Sequence, residues 1–365
     1  MPTRLERLYA AMDEAGLAAL ALVPGPNLRY VSGLTVGPSE RVTLALFPRT
    51  GSPALLLPAL EVPRVRLHLG SEVELFPWND EEGPERAIAR LGEQVRLAGE
   101  RIGVEERHMR LLEWQVLQRA FPGSVVEPAD ALLATLRMSK APEEIACMRR
   151  AAALLEQGLQ DVLARLRPGL TEREVARAWQ WAVAEAGADP FQEEPIVAAG
   201  PHGASPHAVP TDRPIERGEL ITLDWAISVD GYYADLTRTV ALGRPAEELR
   251  HIYDLVLRAN AAGRDAVRPG LPAQEVDRAA RAVIAEAGYG EAFLHRTGHG
   301  LGVEVHEPPY IVEGNSQPLL PGMTFTVEPG IYIQGLGGVR IEDDILVTSA
   351  AGLCLTQFPR ELLVL

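Results

Sequence analysis

Residues 219–242 read ELITLDWAISVDGYYADLTRTVAL, two strand-like apolar runs on either side of Asp230-Gly231. An Asp-Gly pair between such runs is a strong hairpin signal. Asp224 and Asp235 lie 11 apart and nearly equidistant from that turn. Facing residues of an antiparallel pair project to one side of the sheet, so the two carboxylates should point together. Leu223, Trp225 and Leu236 flank them. Residues 324–347, TFTVEPGIYIQGLGGVRIEDDILV, repeat the device around Gly335-Leu336-Gly337-Gly338. Glu328 and Glu342 are 14 apart and centred on residue 335, so they too can face each other. Two such hairpins hint at an internal pseudo-repeat.

Carboxylates opposed inside apolar strands are costly: like charges repel across a ladder, and a buried unpaired carboxylate tends to protonate. Divalent cations resolve both problems. Histidines point the same way. Six of the eight fall between positions 202 and 306, and His295, His299 and His306 share the glycine-rich segment HRTGHGLGVEVHE, 295–307. A lone histidine is more often a packing or surface residue; three beside two carboxylate pairs read as functional. Four carboxylates with one or two imidazoles and no thiolate suit Mn, Co or Zn. Carboxylates can bridge two metals about 3.5–4 Å apart, which activate a water and polarise a carbonyl. The constellation reads as a binuclear metallohydrolase.

The rest of the chain frames that reading. Its 365 residues allow one large domain or two ordinary ones, and 47% apolar with 23% charged residues is a globular composition. A net charge of −15 argues against a general nucleic-acid binder, which needs a basic surface. No apolar run approaches the roughly 18–20 residues of a membrane span. The acidic, amphipathic N-terminus does not read as a secretory signal, and two cysteines, Cys147 and Cys354, are too few for a disulfide framework. A cytoplasmic protein is the expectation. Lys140 is the only lysine, an oddity left unassigned.

Residues 1–128 alternate strand-like runs (18–23, 42–47, 54–57, 73–76, 102–104, 125–126) with helical stretches at 3–15, 84–98 and 111–120, which is an α/β pattern. Residues 129–365 change character. Helices run to Met138, from Pro142 to about Leu166, and from a Thr171/Glu174 capping box to about Gly187. Strand-rich sequence follows, interrupted by helices near 246–266 and 272–287. This half is predicted to be α+β, its helices grouped against an antiparallel sheet.

The order and spacing Asp224-x10-Asp235, His299, Glu328, Glu342 resembles that of the pita-bread metallopeptidases, which include methionine aminopeptidase, aminopeptidase P and prolidase. Residues 200–226, 230–240, 295–307, 323–333 and 337–348 are similar to the Xaa-Pro branch in particular. LRMSKAPEEIACMRRAA (136–152) looks like its entry to the catalytic domain; NLRYVSGL (27–34) and SERVTLALFP (39–48) resemble its N-terminal domain. The resemblance implies an α+β pita-bread catalytic domain over 129–365 and an α/β domain over 1–128 for oligomerisation or substrate gating. It implies a homodimer and two divalent ions per subunit, Mn first, then Co or Zn.

By the same resemblance Asp224 and Asp235 chelate one metal, while Asp235, His299, Glu328 and Glu342 complete a bridged pair. Glu328 also takes the proton of the bridging water. His207 and His306 stabilise the oxyanion or hold substrate, and His295 lines the proline-side pocket. Arg340, on the same strand face as Glu342, orients a carboxylate. Ala226 stands where many relatives carry glycine, which touches pocket shape rather than metal binding, and His202 is given no role. The implied reaction is hydrolysis of the Xaa-Pro bond of dipeptides, the prolidase reaction. A dipeptidase must recognise the free proline carboxylate, and Arg41, in the loop 37–41, is the candidate cation. Competing readings are aminopeptidase P acting on longer peptides and, more remotely, a non-catalytic scaffold of the same fold. Methionine aminopeptidase usually lacks such an N-terminal domain, and creatinase works without metal.

Overall fold

The computed structural model describes residues 3–191 and 193–365, which divide into two compact units meeting between Arg137 and Met138. In the first unit, strand Ala19–Leu22 runs antiparallel to Leu44–Pro48 and parallel to Arg101–Val104. Ala54–Pro58, Glu74–Trp78 and Val125–Pro128 complete a six-stranded mixed sheet. The three strands from 19 to 58 are buried throughout, which explains their unbroken apolar runs. Helix Arg4–Ala15 opens on a reciprocal Thr3–Glu6 capping box and closes on Gly16 at φ 66°. Two short helices, Pro26–Ser32 and Val62–Leu69, lie where the hydrophobic pattern makes no assignment. At seven and eight residues they are too short for a helical period to stand out.

The second unit is α+β. Helix Pro142–Leu163 packs on both long strands of a three-stranded antiparallel sheet, Ile196–Ala199, Glu219–Val229 and Tyr232–Leu242. Leu155, Leu159, Trp179, Leu223 and Leu236 fill that interface, with helix Glu172–Glu185 behind. A five-stranded sheet follows the order 307–311, 298–300, 324–327, 343–347, 352–354, and helices Glu247–Ala266 and Ala273–Glu286 pack against each other.

The 219–242 hairpin turns where the sequence requires. Val229 pairs with Tyr232 across Asp230 and Gly231, whose φ values are 51° and 74°. Positive φ at both central residues is the tight turn that matches strand twist. Asp224 lies opposite Thr237, and Asp235 opposite Ala226. The two aspartates are therefore diagonal neighbours on one face rather than direct partners.

The second hairpin holds its register through an interruption. Gly330 pairs with Arg340 in one ribbon, and Val327 with Asp343 in the five-stranded sheet. Between them Glu328 and Glu342 stand opposite each other outside either strand. Their backbone amides are satisfied elsewhere: Glu328 N–H donates to the Thr297 carbonyl at 2.8 Å, Glu342 N–H to the Thr237 carbonyl at 3.1 Å. The break turns both glutamates out of the ladder and ties them to the segments that carry His299 and Asp235. Arg238, 1% exposed, reinforces the junction by donating to the carbonyls of Thr237 and Glu342 and to Asp343 Oδ1 at 2.9 Å.

Gly298 shows how tightly these segments meet. A Cβ there would lie 1.8 Å from the Thr326 carbonyl oxygen, a backbone atom that cannot swing aside. Gly298→Ala is expected to destabilise the second unit by roughly 3 kcal/mol, the upper end of ordinary overpacking. That corresponds to a fall of roughly 6–12 °C in its thermal midpoint for a unit of this size. Gly290→Ala, whose Cβ meets nothing nearer than 3.4 Å, is the control and should change little. Calorimetry on both variants checks the pair; equal midpoints would contradict the close approach.

Candidate active site

A cavity of about 440 Å³ in the second unit is lined by Asp224, Asp235, His299, Glu328 and Glu342, together with His207, His295, His306 and Arg340. Nine of the ten site residues singled out from the sequence thus share one concavity. The tenth, Arg41, belongs to the first unit. Its guanidinium bonds both oxygens of Asp80, at 2.9 and 2.8 Å, and Glu40 at 2.7 Å.

Each carboxylate is held differently. Asp235 is 6% exposed; its N–H donates to Asp344 Oδ2 at 3.0 Å, while its Oδ1 is buried with no hydrogen-bond partner among the described residues. Glu342 accepts the Thr237 hydroxyl at 2.5 Å. Glu328 accepts the Thr326 hydroxyl at 3.1 Å, and that hydroxyl accepts the His299 N–H at 3.1 Å. Asp224 accepts the Arg340 guanidinium, which also donates to the Tyr332 hydroxyl at 2.6 Å and to Thr237 Oγ1 at 3.3 Å. Tyr332 in turn meets His295 Nε2 at 2.8 Å. A continuous polar chain runs from Asp224 through Arg340 and Tyr332 to His295.

His299 Nδ1 lies 3.2 Å from the Gly300 carbonyl, which leaves Nε2 facing the acids, 3.2 Å from Glu328 Oε1 and 3.9 Å from Asp235 Oδ2. The His306 ring stands edge-on to that of His299, centroids 4.2 Å apart. Beneath this segment Lys140, the single lysine, is buried in a 2.7 Å ion pair with Glu307. Gly302 makes room for the pair, since a Cβ there would lie 2.7 Å from Glu307 Oε1.

The electrostatics are those of acids forced together. Burial raises Asp235 well above the usual aspartate range, and the charges of Asp224, Asp344 and Glu328 add to it. Glu342 is raised in the same way, by burial and then by Asp235, Glu328 and Asp224. Burial works upward on Glu328 as well, but its hydrogen bond to His299 and the charges of His299, His295 and Arg340 outweigh it and hold it at about 2. Burial and the neighbouring His299 push His306 down to about 4, so its imidazole is neutral at pH 7.

The donor set fits a divalent cation. Asp235, His299 and Glu342 each offer an atom within 4.8 Å of the other two. The unpartnered Asp235 Oδ1 and the mutually raised acids are what a cation would relieve, and oxygen with one imidazole nitrogen is a hard-to-borderline set. Some contributors escaped the sequence reading. Thr237, two residues beyond Asp235 and so on its face, was accessible from strand periodicity. Tyr332 was accessible in the same way, since it lies opposite Gly338, two residues before Arg340 on the partner strand; Arg296, Glu193 and Glu194 were not, because they line the cavity from loops without a period.

Similarity to known proteins agrees with this geometry. Residues 146–349 match metallopeptidase family M24, and residues 4–139 match the creatinase/prolidase N-terminal domain. The probable dipeptidase PepE of Mycobacterium tuberculosis is 38% identical over 365 residues, 99% of this chain and 96% of that protein. The crystal structure of a prolidase from Thermococcus sibiricus superposes with a TM-score of 0.94 at 35% identity, covering 99% of this chain and 98% of that one. An X-Pro aminopeptidase from Thermotoga maritima superposes with a TM-score of 0.87 at 29% identity, covering both chains completely. With two domain matches that span nearly its whole length, the chain belongs to metallopeptidase family M24 and carries the fold of that family.

Proposed function

We propose that this M24 metallopeptidase is an Xaa-Pro dipeptidase, with Asp224, Asp235, His299, Glu328 and Glu342 as ligands of two divalent ions. The observation that carries the reading is the single cavity in which these five side chains meet His207, His295 and His306. Full-length similarity to proteins named dipeptidase and prolidase supports the substrate class. Mn is the metal assigned first, since the donors are mostly carboxylate oxygens; Co and Zn fit the same set.

When bound, the ions would supply a Lewis acid for the scissile carbonyl and lower the pKa of a water. The side chains do the rest. Glu328, ionised at neutral pH, accepts the proton of the attacking water on its carboxylate and returns it to the departing proline nitrogen. His306 as a neutral imidazole, with His207, donates N–H to the oxygen on which charge develops. Arg340 fixes Asp224, and through Tyr332 fixes His295 against the proline ring.

An Xaa-Pro bond is a tertiary amide without an N–H and with a fixed φ. A peptidase that reads extended backbone by its amide hydrogens loses affinity there; a preformed pocket for the pyrrolidine ring does not. The similarity to an X-Pro aminopeptidase keeps longer peptides as the second reading. Ala-Pro and Ala-Pro-Ala, assayed side by side with Mn-reloaded protein, separate the two. The dipeptide should be the better substrate by at least tenfold, and faster tripeptide cleavage would mean an aminopeptidase.

Glu328→Gln should cut kcat by roughly 10²–10⁴-fold with the circular dichroism spectrum unchanged, the usual worth of a positioned acid–base group. Turnover at the wild-type level would remove Glu328 from the role. Metal removal should act on stability with a definite sign. Asp235 and Glu342 are raised in the folded state, so their contribution is complete below the ordinary carboxylate range and is lost as pH rises through their raised values. Glu328 is lowered, and its contribution is lost only as pH falls toward about 2. As pH rises above the ordinary carboxylate range the stripped protein should therefore lose thermal stability, and the gain on adding Mn²⁺ should grow. A pH-independent gain, read by differential scanning fluorimetry, would contradict the assignment.

A further inference from the structure

We propose that Glu172 is a positioning residue for the active site: by clasping both ends of the loop 200–210 it fixes His207 at the cavity. The inference rests on the proposed role of His207 at the developing oxyanion and deepens it, naming what holds that imidazole in place.

Among the described residues the His207 ring makes no hydrogen bond, ion pair or ring contact. The other cavity histidines are anchored by their own side chains: His295 to Tyr332 at 2.8 Å, His299 to the Gly300 carbonyl at 3.2 Å, and His306 edge-on to His299. His207 is exposed and lines the cavity all the same. Its place is therefore set by the backbone that carries it, a short 3₁₀ turn at Gly200–Ala204 followed by irregular chain. Irregular chain of this kind is mobile by default, and a donor on it stays within hydrogen-bond reach of a reacting oxygen only if the chain is fastened.

Glu172 supplies the fastening. It is the first residue of helix Glu172–Glu185, and its side chain is fully buried. Oε1 accepts the Ala199 N–H at 2.8 Å, where the loop begins. Oε2 accepts the Thr211 N–H at 3.0 Å and the Thr211 hydroxyl at 2.7 Å, where it ends. His202 Nδ1, inside the loop, lies 2.9 Å from both oxygens. A carboxylate only accepts, so His202 presents Nδ1–H to it. His202, given no role above, is thereby a third tie. The helix end returns the contact: the Arg173 N–H donates to the Thr211 carbonyl at 3.1 Å, and the Glu172 N–H to the Arg213 carbonyl at 3.3 Å. On its other side the loop is wedged against the strand Gly337–Arg340, where a Cβ at Gly338 would lie 2.1 Å from the Gly203 carbonyl oxygen. Hydrogen bonds to a charged acceptor are stronger than neutral ones and costly to leave unmade when buried, so four donors on one carboxylate make a rigid frame for the loop.

The test is a double-mutant cycle between Glu172→Gln and His207→Ala in the Mn-loaded, full-length protein, assayed on Ala-Pro, with metal content and circular dichroism checked for each variant. Glutamine keeps the side-chain length but only one acceptor oxygen, so the donors at one end of the loop face an amide NH₂. Glu172→Gln should lower kcat about 10–100-fold with KM changed less than about threefold, as expected when a transition-state donor is displaced by about an ångström. His207→Ala should itself cost about 10²-fold or more in kcat. In that background Glu172→Gln should cost less than about threefold further, since nothing is left for it to position. Equal losses in both backgrounds would overturn the proposal and make Glu172 a general prop of the fold; so would a loss that appears in KM alone. Hydrogen–deuterium exchange reads the same claim without turnover. Amides from 199 to 211 should exchange faster in Glu172→Gln while those of the 219–242 hairpin do not change, and unchanged protection at 199–211 would overturn the claim. Should Glu172→Gln fail to fold, His202→Leu, which removes one of the four donors, enters the same cycle with a few-fold effect expected, and additive losses there count against the proposal equally. If wild type cleaves no Ala-Pro, the dipeptidase reading fails by itself, and the exchange measurement still decides the positioning claim.

Discussion

Like charges gathered in a place largely closed to water are the constraint on which the second unit is built. Asp224, Asp235, Glu328 and Glu342 converge on one cavity, and burial together with mutual repulsion forces Asp235 and Glu342 toward protonation. Such a cluster is unfavourable by itself. It persists because the surrounding fold holds it rigidly, through the paired strands 219–242, the Arg238 junction and the hydroxyls of Thr237 and Thr326. One oxygen, Asp235 Oδ1, is left with no partner at all among the described residues. Structure that would be a defect in a core fits the proposed role of these acids as ligands of divalent cations.

The two hairpins solve the convergence in different ways. In the first, the ladder is unbroken and the aspartates stand diagonally, Asp224 opposite Thr237 and Asp235 opposite Ala226. In the second, the ladder is interrupted so that Glu328 and Glu342 leave it together, their amides handed to Thr297 and Thr237. The exchange stitches the two strand systems to each other at the two glutamates themselves. Arg340 then links Asp224 to Tyr332 and, through it, to His295, so the acid cluster and the histidine wall of the cavity share one hydrogen-bonded frame.

Much of this was legible in the sequence because it depends on period and symmetry. The Asp230-Gly231 turn, the equal spacing of each acid pair about its turn, and the glycine-rich run of histidines are local signals, and each survived folding. The Thr171/Glu174 capping box did as well. What escaped is what only three dimensions provide. The helices Pro26–Ser32 and Val62–Leu69 are too short to show a period. The offset between Asp224 and Asp235 depends on which residues open the turn, not on the distance between them. Arg41 lies in a loop whose sequence gives no sign of its partner, and the structure pairs it with Asp80, 39 residues away.

Anomalous diffraction from crystals equilibrated with Mn²⁺ tests the central claim most directly, because it locates the cations without reference to activity. The account predicts two anomalous peaks among Asp224, Asp235, His299, Glu328 and Glu342, with the second-unit backbone essentially unmoved. Absence of density there, or metal bound only at other residues, would contradict it.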